Sequence, residues 1–318
     1  MATIRPKTLD GYVASSTIKS SLTTAIGAAK KRKVAFPNVL LSGPPGTGKT
    51  TLAYIIANEM DVKLHDILSS SIESQEDLVN LFLGCEPYDI IFFDEIHEIG
   101  CQPELLYKIM EDGKLPMSVM NRAYLHDLPP LCIAGATTDT ASMYPPLLDR
   151  FSLKIQLTHY TDDQLVQVIR GYLDRWCAQE NIQFNYSDFA LKAISTVSRG
   201  TPRIANAYTD RVNDYLIVND IFEPSIQDVF TALTLNGIDE YGLTDMDRTI
   251  IRTIFDAVRS GSISIATLAS MIGLSEKEII KQYEPYLISK GFIVKSSQGR
   301  SLGQNGFTYI GKSKINSI

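Results

Sequence analysis

The sequence predicts an α/β chain. A parallel sheet covered by helices on both faces comes first, then a small helical domain, then a C-terminal unit of three helices and a β-hairpin. Three observations carry this. Short apolar runs alternate with helical stretches up to Tyr160, strand signals stop after it, and a new pattern of helices closing on an apolar, basic segment begins near Gly237. Alternation of the first kind implies βαβ units and hence a parallel sheet.

Taken in order, residues 38–42 (Asn-Val-Leu-Leu-Ser) form a short apolar strand that feeds a glycine-rich loop and a helix over Lys49–Met60. A second buried-strand pattern lies at 89–93, followed by a helix around 104–111, and a third at 131–136 ends in Thr137-Thr138. Residues 162–179 and 186–198 then read as helices with acidic starts, and 202–219 continues the helical pattern. Helices at 245–258, 265–271 and 276–289 precede a hairpin expected from 292–295 and 306–310, the layout of a winged-helix module. The expected domains are therefore residues 1–160, 161–236 and 237–318.

Bulk properties narrow the class. Among 318 residues 44% are hydrophobic, enough for several cores, yet the run Ile90–Phe93 is typical of apolar stretches far too short to span a bilayer. Residues 1–7 lack the apolar centre of a secretory signal. Cys85, Cys101, Cys132 and Cys177 show no paired spacing, which argues against a disulfide framework or zinc site and for a reduced, cytoplasmic setting. The net charge of −6 is unevenly spread: residues 1–242 carry 20 basic and 30 acidic side chains, residues 243–318 carry 10 and 6. Past Glu284 there is no acid, only Lys290, Lys295, Arg300, Lys312 and Lys314, interleaved with Phe292, Ile293, Val294, Phe307, Tyr309 and Ile310. That interleaving reads as a folded basic face for nucleic acid; a solvated tail is the alternative.

The strongest chemical signal is Gly43-Pro44-Pro45-Gly46-Thr47-Gly48-Lys49-Thr50, a full G-x-x-x-x-G-K-T between strand and helix, followed by Thr51. Glycines let backbone N–H groups turn in around phosphate oxygens, and the next helix adds its positive end. Lys49 reaches the β- and γ-phosphates and the Thr50 hydroxyl ligates Mg2+. In Ile90-Ile-Phe-Phe-Asp94-Glu95-Ile-His97 an apolar strand ends in two acids. Asp94 then serves the metal and Glu95 orients the attacking water. No guanine-reading N-x-x-D pattern with a lysine occurs, so ATP is the expected nucleotide. Arg150 suits a finger reaching a neighbour's γ-phosphate, and Arg203 a contact to the nucleotide of its own subunit; for each, a surface ion pair is the alternative. Thr138 is either a phosphate sensor or an ordinary strand end.

With these residues in view the chain resembles the RuvB family of AAA+ ATPases, which drive branch migration of Holliday junctions. Further matching segments are Arg5-Pro-Lys-Thr-Leu9, Met110-Glu-Asp112, Asp127-Leu-Pro-Pro130, Gly135-Ala-Thr-Thr138, Asp149-Arg-Phe151, Met246-Asp-Arg248 and Glu284-Pro-Tyr-Leu-Ile288. The segment Gly-Thr-Pro-Arg203-Ile-Ala-Asn206 is more specific than the phosphate motifs. The resemblance implies a homo-oligomer, a hexameric ring around duplex DNA, acting on branched DNA with a RuvA-like junction-binding protein. It also implies that Ile4 and Arg5 line the adenine pocket, that Glu111, Asp112, Gly113 and Tyr160 add nucleotide contacts, and that Lys295 and Arg300 touch DNA from the wing. The segment 113–126 is shorter than the family's partner-binding hairpin; its Leu115, Met117, Val119, Met120 and Tyr124 form either a docking surface or an ordinary packed hairpin. Val13-Ala14-Ser15, Leu148, Gln298 and the segment 307–311 also depart from the family pattern. Two other readings stand beside a branch-migration motor: a clamp-loader-like ATPase switch acting on DNA-bound proteins, and a nonhydrolysing winged-helix subunit that keeps nucleotide for structure.

Overall fold

The computed structural model describes residues 4–99, 103–119, 122–257 and 261–315. The chain divides into two compact units, Met1–Ser195 with Gly200–Thr209, and Thr196–Arg199 with Asp210–Ile318. Among the described residues no helix is long and apolar enough to cross a membrane, and Cys85, Cys132 and Cys177 are free thiols; Cys101 lies outside them.

The first unit begins with α1 (Ser16–Arg32), β1 (Val39–Ser42), α2 (Lys49–Met60), β2 (Leu64–Leu68), α3 (Gln75–Leu83), β3 (Ile90–Asp94) and α4 (Pro103–Asp112). Next come β4 (Lys114–Val119), β5 (Arg122–Asp127), β6 (Cys132–Thr137), α5 (Pro145–Asp149), β7 (Leu153–Gln156), α6 (Asp162–Glu180) and α7 (Asp188–Val197). Five strands form a parallel sheet in the order β2-β3-β6-β1-β7. Successive side chains of a strand point to opposite faces, and the cores follow that rule. Val39, Leu41, Ile90, Phe92, Cys132 and Ala134 join Leu22 of α1 and Leu52 and Ile56 of α2 in one core. Leu40, Ile91, Phe93 and Ile133 join Phe82 of α3 and Leu106 and Ile109 of α4 in the other. Strands buried on both faces read as unbroken apolar runs, which is why β1, β3 and β6 show in the sequence. The sheet edges β2 and β7 do not: Leu-His-Asp-Ile-Leu and Leu-Lys-Ile-Gln mix polar residues into one exposed side.

β4 and β5 pair antiparallel as a separate hairpin. Leu115, for which docking and packing both stood open, is fully buried in the second core, so packing on the sheet claims it. Tyr124 and Leu125 are the hairpin's exposed apolar side chains among those described; Met120 lies outside the described residues.

After α8 (Pro202–Val218) and α9 (Ile226–Leu235) come α10 (Asp245–Ala257), α11 (Ile265–Ile272) and α12 (Glu276–Glu278). The last runs through a π turn, Ile279–Tyr283, into α13 (Glu284–Ser289). The wing strands are β8 (Ile293–Ser296) and β9 (Gly299–Leu302), and α14 (Gln304–Ile315) closes the fold. This corrects the expected hairpin: residues 306–310 are helical, and the second wing strand is Gly-Arg-Ser-Leu, too short and polar to announce itself. Gly299 is not merely a turn residue. At φ 135° a Cβ there would stand 2.4 Å from the Ile263 carbonyl oxygen, so only glycine lets β9 pair with that backbone.

Candidate nucleotide site

The C-terminal ends of β1 and β3 open into one cavity of about 370 Å3, a size usual for small-molecule sites. Pro45, Gly46, Thr47, Gly48, Lys49, Thr50 and Thr51 line it together with Asp94 and Glu95, the N-terminal residues Ile4 and Arg5, and Tyr160 and Arg203. Gly43 and Pro44 stay out of the lining. Their carbonyls instead accept from Lys49 Nζ at 2.8 and 3.1 Å and hold the ammonium at the loop's centre. Gly46 (φ 75°) is needed because a Cβ would stand 2.8 Å from Thr201 Cγ2 and 3.1 Å from Arg203 Cβ. The loop thus closes on the first turn of α8, where the Arg203 N–H donates to the Gly46 carbonyl. The Tyr160 hydroxyl, 2.9 Å from Val13 O and 3.3 Å from Thr47 O, ties the N-terminal segment to the loop. Arg5 stacks its guanidinium 4.8 Å over the Tyr54 ring.

Electrostatics fit a site for anion and cation together. Burial pulls the Lys49 ammonium below its ordinary pKa; Glu95 and Asp94 favour its charge and Arg203 opposes it. Burial pushes the Asp94 carboxyl up, and the Glu95 charge beside it adds to the shift. The two crowded acids and the Thr50 hydroxyl, which line the same cavity, make up a set of hard oxygen donors. Among the described residues no group of three or more His, Cys, Asp or Glu side chains makes a complete metal cage. The Thr50 hydroxyl and the Asp94 carboxylate are the kind of donors that fit Mg2+, which takes one or two protein oxygens and completes its shell with phosphates and water.

Glu95 holds φ 49°, a left-handed conformation uncommon for a residue with a side chain and often kept at functional sites. Its Oε2 accepts from both the N–H and the hydroxyl of Thr138, each at 3.0 Å. His97 Nδ1 lies 3.0 Å from Thr137 Oγ1 and 3.4 Å from Glu95 Oε2. Thr138, at the end of β6, is therefore bound to the Glu95 carboxylate through both its backbone and its side chain.

Arg150 does not line this cavity. It donates to the Tyr107 hydroxyl at 2.8 Å and to Glu111, with its guanidinium 4.7 Å over the Tyr107 ring. Glu111, Asp112 and Gly113, expected among the nucleotide contacts, are also outside it. They end α4, and Gly113 ties that end to the hairpin by accepting from the Leu128 N–H at 2.9 Å. Sequence reasoning missed Tyr12, Val168 and Arg175, which no motif marks, and assigned no role at the cavity to Val13 or to Pro202 and Asn206 of the Gly200–Asn206 segment; the fold brings all six to its lining.

In the wing, Lys295 is half exposed and 3.9 Å from Glu284. The expected role of Arg300 in reaching DNA is corrected: it is 7% exposed, with Nε bound to the buried Glu284 carboxylate. Removing one partner of a buried pair leaves an uncompensated charge. Arg300→Ala should therefore cost about 3–5 kcal/mol of stability. A thermal melt followed by circular dichroism checks this, and an unchanged midpoint would return Arg300 to the surface.

Comparison with known proteins bears on the whole chain. Residues 4–157 match the family model for the Holliday junction DNA helicase RuvB P-loop domain, 160–239 the RuvB AAA lid domain, and 240–311 the RuvB C-terminal winged helix domain. The Holliday junction branch migration complex subunit RuvB of Kosmotoga olearia is 37% identical over 99% of this chain and 92% of its own length. The same subunit of Staphylococcus saprophyticus is 37% identical over 97% and 92%. Among solved structures, the Thermotoga maritima RuvB Holliday junction branch migration motor superposes with a TM-score of 0.82 at 33% identity, covering 97% of this chain and 98% of that one. A phosphate loop, an acid pair at the end of a buried strand and a C-terminal winged helix on one chain, matched along its length at this identity, place the protein in the RuvB family.

Proposed function

We propose that the protein is an ATP-hydrolysing motor that drives branch migration of Holliday junctions in recombination and repair. It works in the cytoplasm as a hexameric ring on duplex and branched DNA. The observation that carries the reading is the division of the catalytic set. Lys49, Thr50, Asp94, Glu95 and Arg203 share one cavity, whereas Arg150 stands outside it. A site that lacks its finger is completed by a neighbour, and a ring supplies one.

Lys49 neutralises the β- and γ-phosphates within the loop's N–H groups. Bound Mg2+ would be held by Thr50 and Asp94 and would supply charge neutralisation on the phosphate oxygens. Glu95 polarises the attacking water. The Thr138 hydroxyl, now on Glu95, is placed to turn to the γ-phosphate. Arg150, with Glu111–Gly113 beside it, serves the nucleotide of the adjacent subunit. The exposed Tyr124 and Leu125 of the hairpin offer the docking face for a RuvA-like junction-binding protein.

The deciding experiment is strand exchange on a synthetic four-way junction, with and without ATP and with and without a RuvA-like protein. Movement of the branch point that needs ATP supports the motor; DNA-stimulated hydrolysis without branch movement would favour a loader-like switch. With Arg300 buried, Lys295 is the basic side chain left on the wing strands to meet DNA. Lys295→Ala should weaken duplex binding and reduce the slope of log K against log salt by ~0.9 for each phosphate no longer neutralised. Unaltered affinity and slope would remove the wing strand from the DNA interface.

A further inference from the structure

Two of the polar side chains that line the nucleotide cavity outside the phosphate motifs, Arg175 on α6 and Asn206 on α8, stand apart from the rest. Arg175 Nε and Asn206 Oδ1 are both shut off from water, and neither has a hydrogen-bond partner among the described residues. Burial pulls the Arg175 guanidinium below its ordinary pKa, with Asp174 opposing the shift. A buried donor or acceptor left unpaired is costly, and native structures keep few of them without a reason. Here two stand at one cavity, one a donor and the other an acceptor.

Their place in the cavity indicates what they meet. The phosphate end belongs to Lys49, Thr50, Asp94 and Glu95, and Arg203 is near enough to Lys49 to act on its charge; Arg175 reaches the cavity from α6, the helix that also brings the apolar Val168. The remaining lining includes Ile4, Val13 and Val168, apolar surface suited to the faces of a base. Adenine carries on one edge a 6-amino donor next to a ring-nitrogen acceptor, and an asparagine amide pairs with that edge in nucleic-acid recognition. Gly171, one turn before Arg175, leaves the guanidinium room to lie along the helix: Nη1 is 3.3 Å from where a Cβ at 171 would be.

Resting on the reading of this cavity as an ATP site, we propose that Arg175 and Asn206 read the base. Each turns about its side-chain torsions into the cavity, the guanidinium donating to a ring nitrogen of adenine and the amide oxygen accepting from its 6-amino group. Binding then satisfies both orphaned groups at once. Base identity is read by residues that lie outside the phosphate loop and its partner strand.

The test uses the full chain in competition against a fluorescent ADP, with three probes: ATP, purine riboside triphosphate (which lacks only the 6-amino group) and tripolyphosphate. Arg175→Leu should weaken ATP about tenfold, the order carried by one hydrogen bond to a charged group. Wild type should prefer ATP to purine riboside triphosphate several-fold, as for one neutral hydrogen bond, and Asn206→Leu should bring that ratio close to one. Tripolyphosphate should bind all three proteins alike, which also shows that the variants are folded. Wild-type ATP affinity in Arg175→Leu, or a preserved ratio in Asn206→Leu, would remove that residue from base recognition. An equal loss of tripolyphosphate binding would make Arg175 a phosphate ligand. A wild-type chain that binds no ATP would instead overturn the ATPase reading itself.

Discussion

Glu95→Gln is expected to bind ATP as the wild-type protein does and to hydrolyse it about 10²–10⁴ times more slowly, the range for loss of a positioned acid or base. The substitution separates charge from shape. Thr138 donates twice to Glu95 Oε2, and an amide oxygen accepts the same two hydrogen bonds, so the loop and its left-handed φ are retained. What is lost is the negative charge that polarises water. Phosphate release at saturating ATP, measured beside the affinity for a fluorescent ADP, distinguishes the two effects. Turnover at the wild-type rate would mean that another group activates water. Lys49→Ala should behave differently and lose nucleotide affinity itself, because Nζ both holds the loop through Gly43 O and Pro44 O and carries the positive charge facing the phosphates.

Arg150→Ala should lower turnover by ~10³–10⁵, the span for an arginine finger, with nucleotide affinity nearly intact. In its own chain the guanidinium is held by Tyr107 and Glu111, outside the cavity, so its removal leaves the local binding groups untouched. Mixing Arg150→Ala with Lys49→Ala chains should restore part of the activity. A Lys49→Ala subunit still offers a finger, and an Arg150→Ala subunit still offers an intact phosphate loop. Mixed rings that form, yet show no recovered hydrolysis, would place Arg150 in a structural role, as the anchor of α5 against α4.

How much of this was legible in the sequence depended on whether burial or partnership decided the outcome. The phosphate loop, the acid pair and the three central strands were legible because backbone geometry and two-sided burial demand particular residues at fixed places. The ATPase fold followed from them, and the family from longer segments such as Gly-Thr-Pro-Arg203-Ile-Ala-Asn206. The edge strands were not legible, since β2 and β7 keep polar residues on an exposed side. Nor was the second wing strand: Lys-Ser-Ser-Gln-Gly-Arg suggests a charged tip, whereas the pairing of Lys295 with Arg300 sets both beside Glu284, and only Lys295 stays half exposed. Charge alone cannot tell an arginine that awaits DNA from one that already has its carboxylate. Arg175 was invisible for a similar reason, and Asn206, though part of a quoted segment, showed no role: no spacing links α6 to α8, and only the folded chain brings the two to one cavity.

The two cores on either side of the sheet have a consequence for motion. β1, β3 and β6 are the three inner strands, and the catalytic segments leave from their C-terminal ends: the phosphate loop after Ser42, the acids at Asp94 and Glu95, and Thr138 after Thr137. Amides of such doubly covered strands open to solvent only with the largest unfolding units, whereas edges and loops exchange through local openings. In a deuterium-exchange experiment the roots of the active site should therefore be the last backbone to label, a few residues from loops that label early. The chemistry hangs from the slowest-exchanging part of the molecule. A chain that loses nucleotide can relax its loops while the strand ends that carry Asp94 and Thr137 keep their places for the next one.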